Sequence, residues 1–201
     1  MYSDSARMTM RTGLTLASAG ASEWLFCATS VCALVPASAF AADYLSAEQA
    51  AKLMFPEAES FDSREIKLDS SQMQQLDSQG VHARSARWAV RMAQRGNTPL
   101  GFVVIDEVIG KFELITYAVG LGLNGAVKQV EILSYRESHG QEIRLPAWRK
   151  QFVGKTSASP IHVGDDIANI SGATLSCKHV SDGVKRVVTV VDLARKSGAL
   201  Q

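Results

Sequence analysis

The chain is short of several things. Its 201 residues include three cysteines and five prolines, and 21 Lys and Arg against 20 Asp and Glu leave a formal net charge of +1. Cys27 and Cys32 fall in the N-terminal segment, so Cys177 stands alone in the rest of the sequence. A lone thiol makes no internal disulfide, and Cys177 reads as a small buried apolar residue. The near-neutral balance lacks the cationic field on which nucleic-acid binding depends. His82, His139, His162 and His179 have no metal-ligand spacing among themselves or with Cys177, so no metal site is expected. No Gly-rich loop follows a strand-like run, which gives no sign of a bound dinucleotide. No nucleophile, histidine and acid form a recognisable set. What remains is an ordinary globular composition, 46% hydrophobic and 20% charged.

The N-terminal segment reads as an export signal over residues 1–41. Arg7 and Arg11 precede an uncharged run from Trp24 to Val35, and Ala39-Phe40-Ala41 supplies an Ala-x-Ala cleavage site. The run is short for a membrane span. The arginines are not adjacent, and neither Cys27 nor Cys32 lies in a lipobox-like context. An exported, periplasmic bacterial protein is the expectation, with an uncleaved, membrane-tethered form as the alternative. Residues 42–201 are enough for one buried core.

Two short helices and a β-rich block follow. Ser46 caps a helix to Phe55, with Gln49 at the capping-box position and Pro56 as its stop. A short strand is expected over 63–68 and a second helix over 69–78, with Gly80 behind it. Trp88, Val90 and Met92 then alternate with Arg87 and Arg91, the period of a half-buried strand. Gly96-Asn97-Thr98-Pro99 reads as a turn, Leu100 to Ile109 as a strand and Gly110-Lys111 as a tight connection. Phe112 to Leu121 reads as a third strand, Asn124-Gly125 as a hairpin turn and Val127 to Tyr135 as a fourth strand, with Val130 and Ile132 facing one side. Adjacent strands with short turns form an antiparallel meander.

After Thr174 the period becomes helical. Cys177, Val180, Val184, Val187, Val191 and Ala194 recur at steps of three and four. Lys178, Asp182, Lys185, Arg186, Arg195 and Lys196 fall mostly on the other side. The predicted class is therefore α+β: an antiparallel β meander packed against a C-terminal helix, with short N-terminal helices. Ser171 or Thr174 is expected near the N-cap of that helix, where free N–H groups and the helix dipole favour an anion. Gly172 allows a close backbone approach and a left-handed turn, and Ala173 keeps the entry narrow.

Ser171-Gly172-Ala173-Thr174 resembles the attachment site of the FMN-binding domain family, whose members include subunits of sodium-pumping and Rnf redox complexes. The resemblance extends from about Gly101 to Leu193. It takes in Asp106 to Gly120, Val130 to Gly140 with Glu137 and Gly140 at the family's acid and glycine, and Trp148, Phe152, Val153, Gly154 and Lys155. It implies an FMN-binding domain over 99–196, behind an N-terminal extension over 42–98. It also implies FMN esterified through its phosphate to Thr174 by a flavin transferase that uses FAD. The family usually has an Asp three residues before the Ser, where this chain has Ala168, with Asp165, Asp166 and Asn169 close by.

The cofactor-binding residues expected are Ser171, Gly172, Ala173, Thr174, Leu175, Glu137, Ser138, His139 and Gly140. Trp148 is weighed as a ring-stacking residue or a core residue, and Lys178 and Lys185 as phosphate partners or solvated charges. The function so implied is an electron carrier or redox-complex subunit that works with a membrane redox partner. The alternatives are a flavin-dependent reductase of a small acceptor and a flavin-free binding or assembly protein.

Overall fold

A computed structural model describes residues 42–200. The expected export signal over 1–41 lies outside the described residues. Strands β1 (Ala42–Asp43), β2 (Ser60–Lys67), β3 (Arg87–Arg95), β4 (Thr98–Ile109), β5 (Leu114–Gly122) and β6 (Val127–Tyr135) form one antiparallel sheet in the order β1-β6-β5-β4-β3-β2. Helices α1 (Ala47–Met54), α2 (Ser70–Ser78), a one-turn α3 (Pro146–Arg149) and the long α4 (Thr174–Lys196) complete it.

The expected meander is present, extended by β2 at one edge and β1 at the other. Residues before 99 contribute β1, β2 and β3 to this sheet, which runs on into β4 without a break. The β3–β4 turn is shorter than expected, because Thr98 already pairs with Arg95. Pro99 is accommodated opposite Gln94, next to a register shift that skips Leu100. The turn after Ile109 is correspondingly longer, so that Phe112 belongs to the turn and β5 starts at Leu114.

Local chemistry sets both short helices. Ser46 and Gln49 form a reciprocal capping box, and Asp69 and Gln72 form another. Alternation then divides the sheet. Val90, Met92, Phe102, Val104, Val119, Leu121, Val130 and Ile132 point into a large core with α4. Ala93, Val103, Ala118 and Leu133 point to the opposite face, under Ala50, Ala51, Met54 and Phe55 of α1. Covered on both faces, the centres of β4 and β5 are largely apolar runs, whereas β6 carries the buried Glu131, paired with Arg149, between Val130 and Ile132.

Every residue of the expected stripe on α4 is buried, from Cys177 to Ala194. Complete burial of one valine is worth about 2 kcal/mol, so the stripe fixes the helix firmly on β4 and β5. Two of the charges read on the other side of α4 are engaged by the protein. Lys185 Nζ donates to the carbonyls of Ser157 at 2.7 Å and Ser159 at 2.6 Å. Arg186 donates to Asp106 Oδ2 at 2.6 Å, where Tyr117 Oη also donates at 2.7 Å; Arg84 reaches Oδ1 at 2.7 Å. The cause is geometric: α4 lies low enough on the sheet that a long side chain at its flank meets β4.

Burial raises the Asp106 carboxyl, but the Tyr117 and Arg186 hydrogen bonds and the Arg186 charge hold it below its ordinary value. A depressed carboxyl adds stability above its unfolded pKa of about 3.9, and that stability is lost as the pH falls through the folded value. Asp106→Asn is expected to cost about 3 kcal/mol near neutrality, because Arg186 is left buried without its counter-charge. The deficit should shrink in acid. Urea melts of both proteins across the acid range check this, and a pH-independent difference would contradict it.

Candidate functional site

An open cleft of about 520 Å³ lies where α4 begins, lined by Lys111, Phe112, Glu137, Ser138, His139, Gly172, Ala173, Thr174, Leu175 and Ser176. Three separate segments meet there: the β4–β5 turn, the loop after β6 and the loop into α4. Of the nine expected site residues it gathers seven; Ser171 and Gly140, each next in sequence to a lining residue, do not line it.

The helix start differs in detail from expectation. The N-cap is Ala173, which has no side-chain acceptor, and Thr174 is the first helical residue. The first intrahelical bond of this turn runs from Cys177 N–H to the Ala173 carbonyl at 2.9 Å. The amides of Thr174, Leu175 and Ser176 therefore precede it, with no side-chain cap. Such a terminus favours an anion. Gly172 has φ +82°, and a Cβ placed on it would meet nothing within 4 Å, so turn geometry rather than crowding calls for glycine. Thr174 is exposed, and its Oγ1 accepts a hydrogen bond from Asn169 Nδ2 at 3.1 Å.

Of the three polar neighbours of Ala168, Asn169 is the one that reaches Thr174. Asp166 is engaged by Lys155 at 2.6 Å and by the His162 and Ile161 amides at 2.8 and 3.2 Å. Asp165 lies exposed beside His162. Ala168 binds through its backbone, donating to Gln151 Oε1 and accepting from Trp148 Nε1 at 2.8 Å.

The loop after β6 is anchored from beneath. Tyr135 Oη donates to the His139 carbonyl and lies 3.2 Å from Ser176 Oγ, which ties the loop to the first turn of α4. Gly140, at φ +86°, packs so close that a Cβ would come 2.5 Å from the Ala173 Cβ. Ser138 Oγ and His139 Nδ1 pair at 2.9 Å on the exposed rim. Glu137 is buried and turns away from solvent; its Oε1 accepts from the amides of Phe112 at 2.6 Å and Glu113 at 3.0 Å. Burial raises its carboxyl, but the Glu113, Phe112 and Lys111 amides hold it below the ordinary value.

Several residues weighed from sequence lie elsewhere. Trp148 is core, edge-on to Phe152 at 5.1 Å, and does not line the cleft. Lys178 pairs with Asp182 at 2.7 Å on the exposed face, and Lys185 serves the Ser157–Ser159 turn. Cys177 is fully buried, and burial raises its thiol pKa. No metal-ligating cluster occurs among the described residues. Sequence reasoning missed Lys111, Phe112 and Ser176. The available signal is Gly110-Lys111 followed by an aromatic; the sequence reads Gly110-Lys111 as a tight connection but Phe112 as the start of a strand.

The residues present suit a flavin phosphate ester. The cleft falls within the range of roughly 300–1,000 Å³ of small-molecule sites. It offers an uncapped helix terminus for the phosphate and exposed apolar surfaces on Phe112 and Leu175 for a ring.

Residues 110–189 match the FMN-binding domain family model, within the span of the sequence resemblance. The fold is similar to that of NqrC from Shewanella oneidensis, at 16% identity and a TM-score of 0.51, covering 73% of this chain and 88% of that one. It is also similar to a subunit of the Na(+)-translocating NADH-quinone reductase from Parabacteroides distasonis, at 13% identity and a TM-score of 0.48, covering 74% and 83%. No curated protein matches the chain. The comparison and the cleft lead to one conclusion: over residues 110–189 the chain carries a domain of the FMN-binding domain family.

Proposed function

We propose that the chain holds FMN as a phosphoester on Thr174 and relays electrons as a carrier or subunit beside a membrane-bound redox partner. The observation that carries this reading is the placement of Thr174. Its hydroxyl is exposed, at the first position of an uncapped helix, in the cleft of an FMN-binding domain.

Each local feature has a part in that chemistry. The free amides of the first turn of α4 and its dipole would stabilise the charge that a phosphodiester keeps. Asn169 donates to Thr174 Oγ1, which leaves the hydroxyl hydrogen free for a base brought by the flavin transferase. Attachment forms the Oγ1–phosphorus bond and releases AMP from FAD, with the hydroxyl proton passing to that base. Bound FMN supplies reversible electron uptake and release, chemistry that no side chain here provides. Ser138 and His139 on the rim offer donors for a flavin's polar edge, and Leu175 and Phe112 offer apolar surface.

Among the described residues no helix is long and apolar enough to cross a membrane. The site is proposed to face its partner from outside the bilayer, on the strength of the export-signal pattern that ends in Ala39-Phe40-Ala41, with the protein either released into the periplasm or held at the membrane. A covalent bond suits that setting, because FMN lost outside the cytoplasm is not readily replaced.

Thr174→Ala, in protein co-produced with a flavin transferase, is expected to carry no flavin that survives denaturation. Its stability should change by no more than about 0.5 kcal/mol, since Thr174 is exposed and caps nothing. Acid precipitation followed by flavin absorbance of the pellet measures the first, and urea melts the second. Flavin retained in the pellet of the variant would refute the attachment site.

A further inference from the structure

The β4–β5 turn carries an arrangement that the attachment chemistry does not require. Phe112 sits at its tip, 74% exposed, on the wall of the cleft. The Lys111 ammonium lies over its ring, 4.8 Å from the centroid. Solvent exposure of so large an aromatic gains nothing for folding, and a four-residue turn would ordinarily be free to flex.

This turn is held from inside the protein. Glu137, only 8% exposed, spends one carboxylate oxygen on the Phe112 and Glu113 amides at 2.6 and 3.0 Å. The Gly110 amide closes the turn onto the Glu113 carbonyl at 2.8 Å. Gly110 also lets the carboxylate in: a Cβ there would come 2.5 Å from Glu137 Oε1 and displace it from the turn. Charge-assisted bonds to two adjacent amides fix the path of the backbone, and so the place of the ring they carry. On the other side of the turn, His179 Nδ1 lies 2.6 Å from the Ile109 carbonyl and ties it to α4.

We infer that Phe112 is a ring-contacting residue of the flavin site, and that Glu137 is a positioning residue that acts through the β4–β5 turn. The inference rests on the flavin occupying this cleft. Glu137 lies on the segment whose acid the sequence resemblance places beside the flavin, but its carboxylate faces the turn. Lys111 adds a positive charge beside the ring position, which favours the reduced, more negative form of a neighbouring flavin.

The experiment uses the full chain co-produced with a flavin transferase, as wild type, Phe112→Ala, Phe112→Tyr and Glu137→Gln. Flavin load is fixed first by intact mass. Tyrosine in contact quenches flavin emission by electron transfer and phenylalanine does not, so Phe112→Tyr is expected to emit several-fold less than wild type per bound flavin, while Phe112→Ala is not quenched. In flavin-free protein, Glu137→Gln should speed amide hydrogen exchange at Phe112 and Glu113 by roughly tenfold or more, with the core amides unchanged. Loaded Phe112→Tyr with wild-type emission would overturn the ring contact alone. Unchanged exchange in Glu137→Gln would overturn the positioning role. Wild type without flavin would overturn the proposed function, and the ring contact with it.

Discussion

The apolar stripe of α4 is the constraint on which everything else depends. Cys177, Val180, Val184, Val187 and Val191 must leave water, and they do so only if the helix lies along β4 and β5. Asp106, Tyr117 and Arg186 then lock that placement with directional bonds, at a depth where an unmade bond is costly. The position of the first turn of α4 follows. It emerges beside the end of β6 and the β4–β5 turn, so the cleft is a consequence of core packing.

Once the helix end is fixed, the cleft divides its duties among residue types. Buried groups hold geometry: Glu137 holds the β4–β5 turn, Tyr135 holds the loop after β6 and Gly140 lets that loop close on Ala173. Exposed groups line the cleft: Thr174, Leu175, Phe112, Ser138 and His139. The terminus of α4 has no side-chain cap, although the chain builds full capping boxes at Ser46 and Asp69. Free amides at that terminus fit a phosphate that would complete the cap.

Much of this was legible in sequence because it is local or periodic. The capping box of Ser46 and Gln49, the alternation of Trp88, Val90 and Met92 and the stripe of α4 each depend on spacing alone. The loop after β6 and the start of α4 could be joined only through the family resemblance, since no spacing rule brings residue 137 to residue 174. What stayed hidden depends on three-dimensional neighbours. β1 is two residues long and owes its existence to the edge of β6. Arg186 looks solvated until the height of α4 above Asp106 is known. Phe112 reads as the start of a strand because an apolar residue next to Leu114 and Ile115 fits that pattern; its exposure follows from the Glu137 clamp, whose two ends lie 25 residues apart.

The central claim is that this cleft carries FMN on Thr174, and peptide mapping of the wild-type protein tests it most directly. The protein is produced with a flavin transferase, its intact mass is taken, and its fragments are sequenced by mass spectrometry. The account expects a gain of FMN minus one water, confined to the peptide that holds Thr174. An unmodified mass, or the gain on a peptide without Thr174, would contradict it.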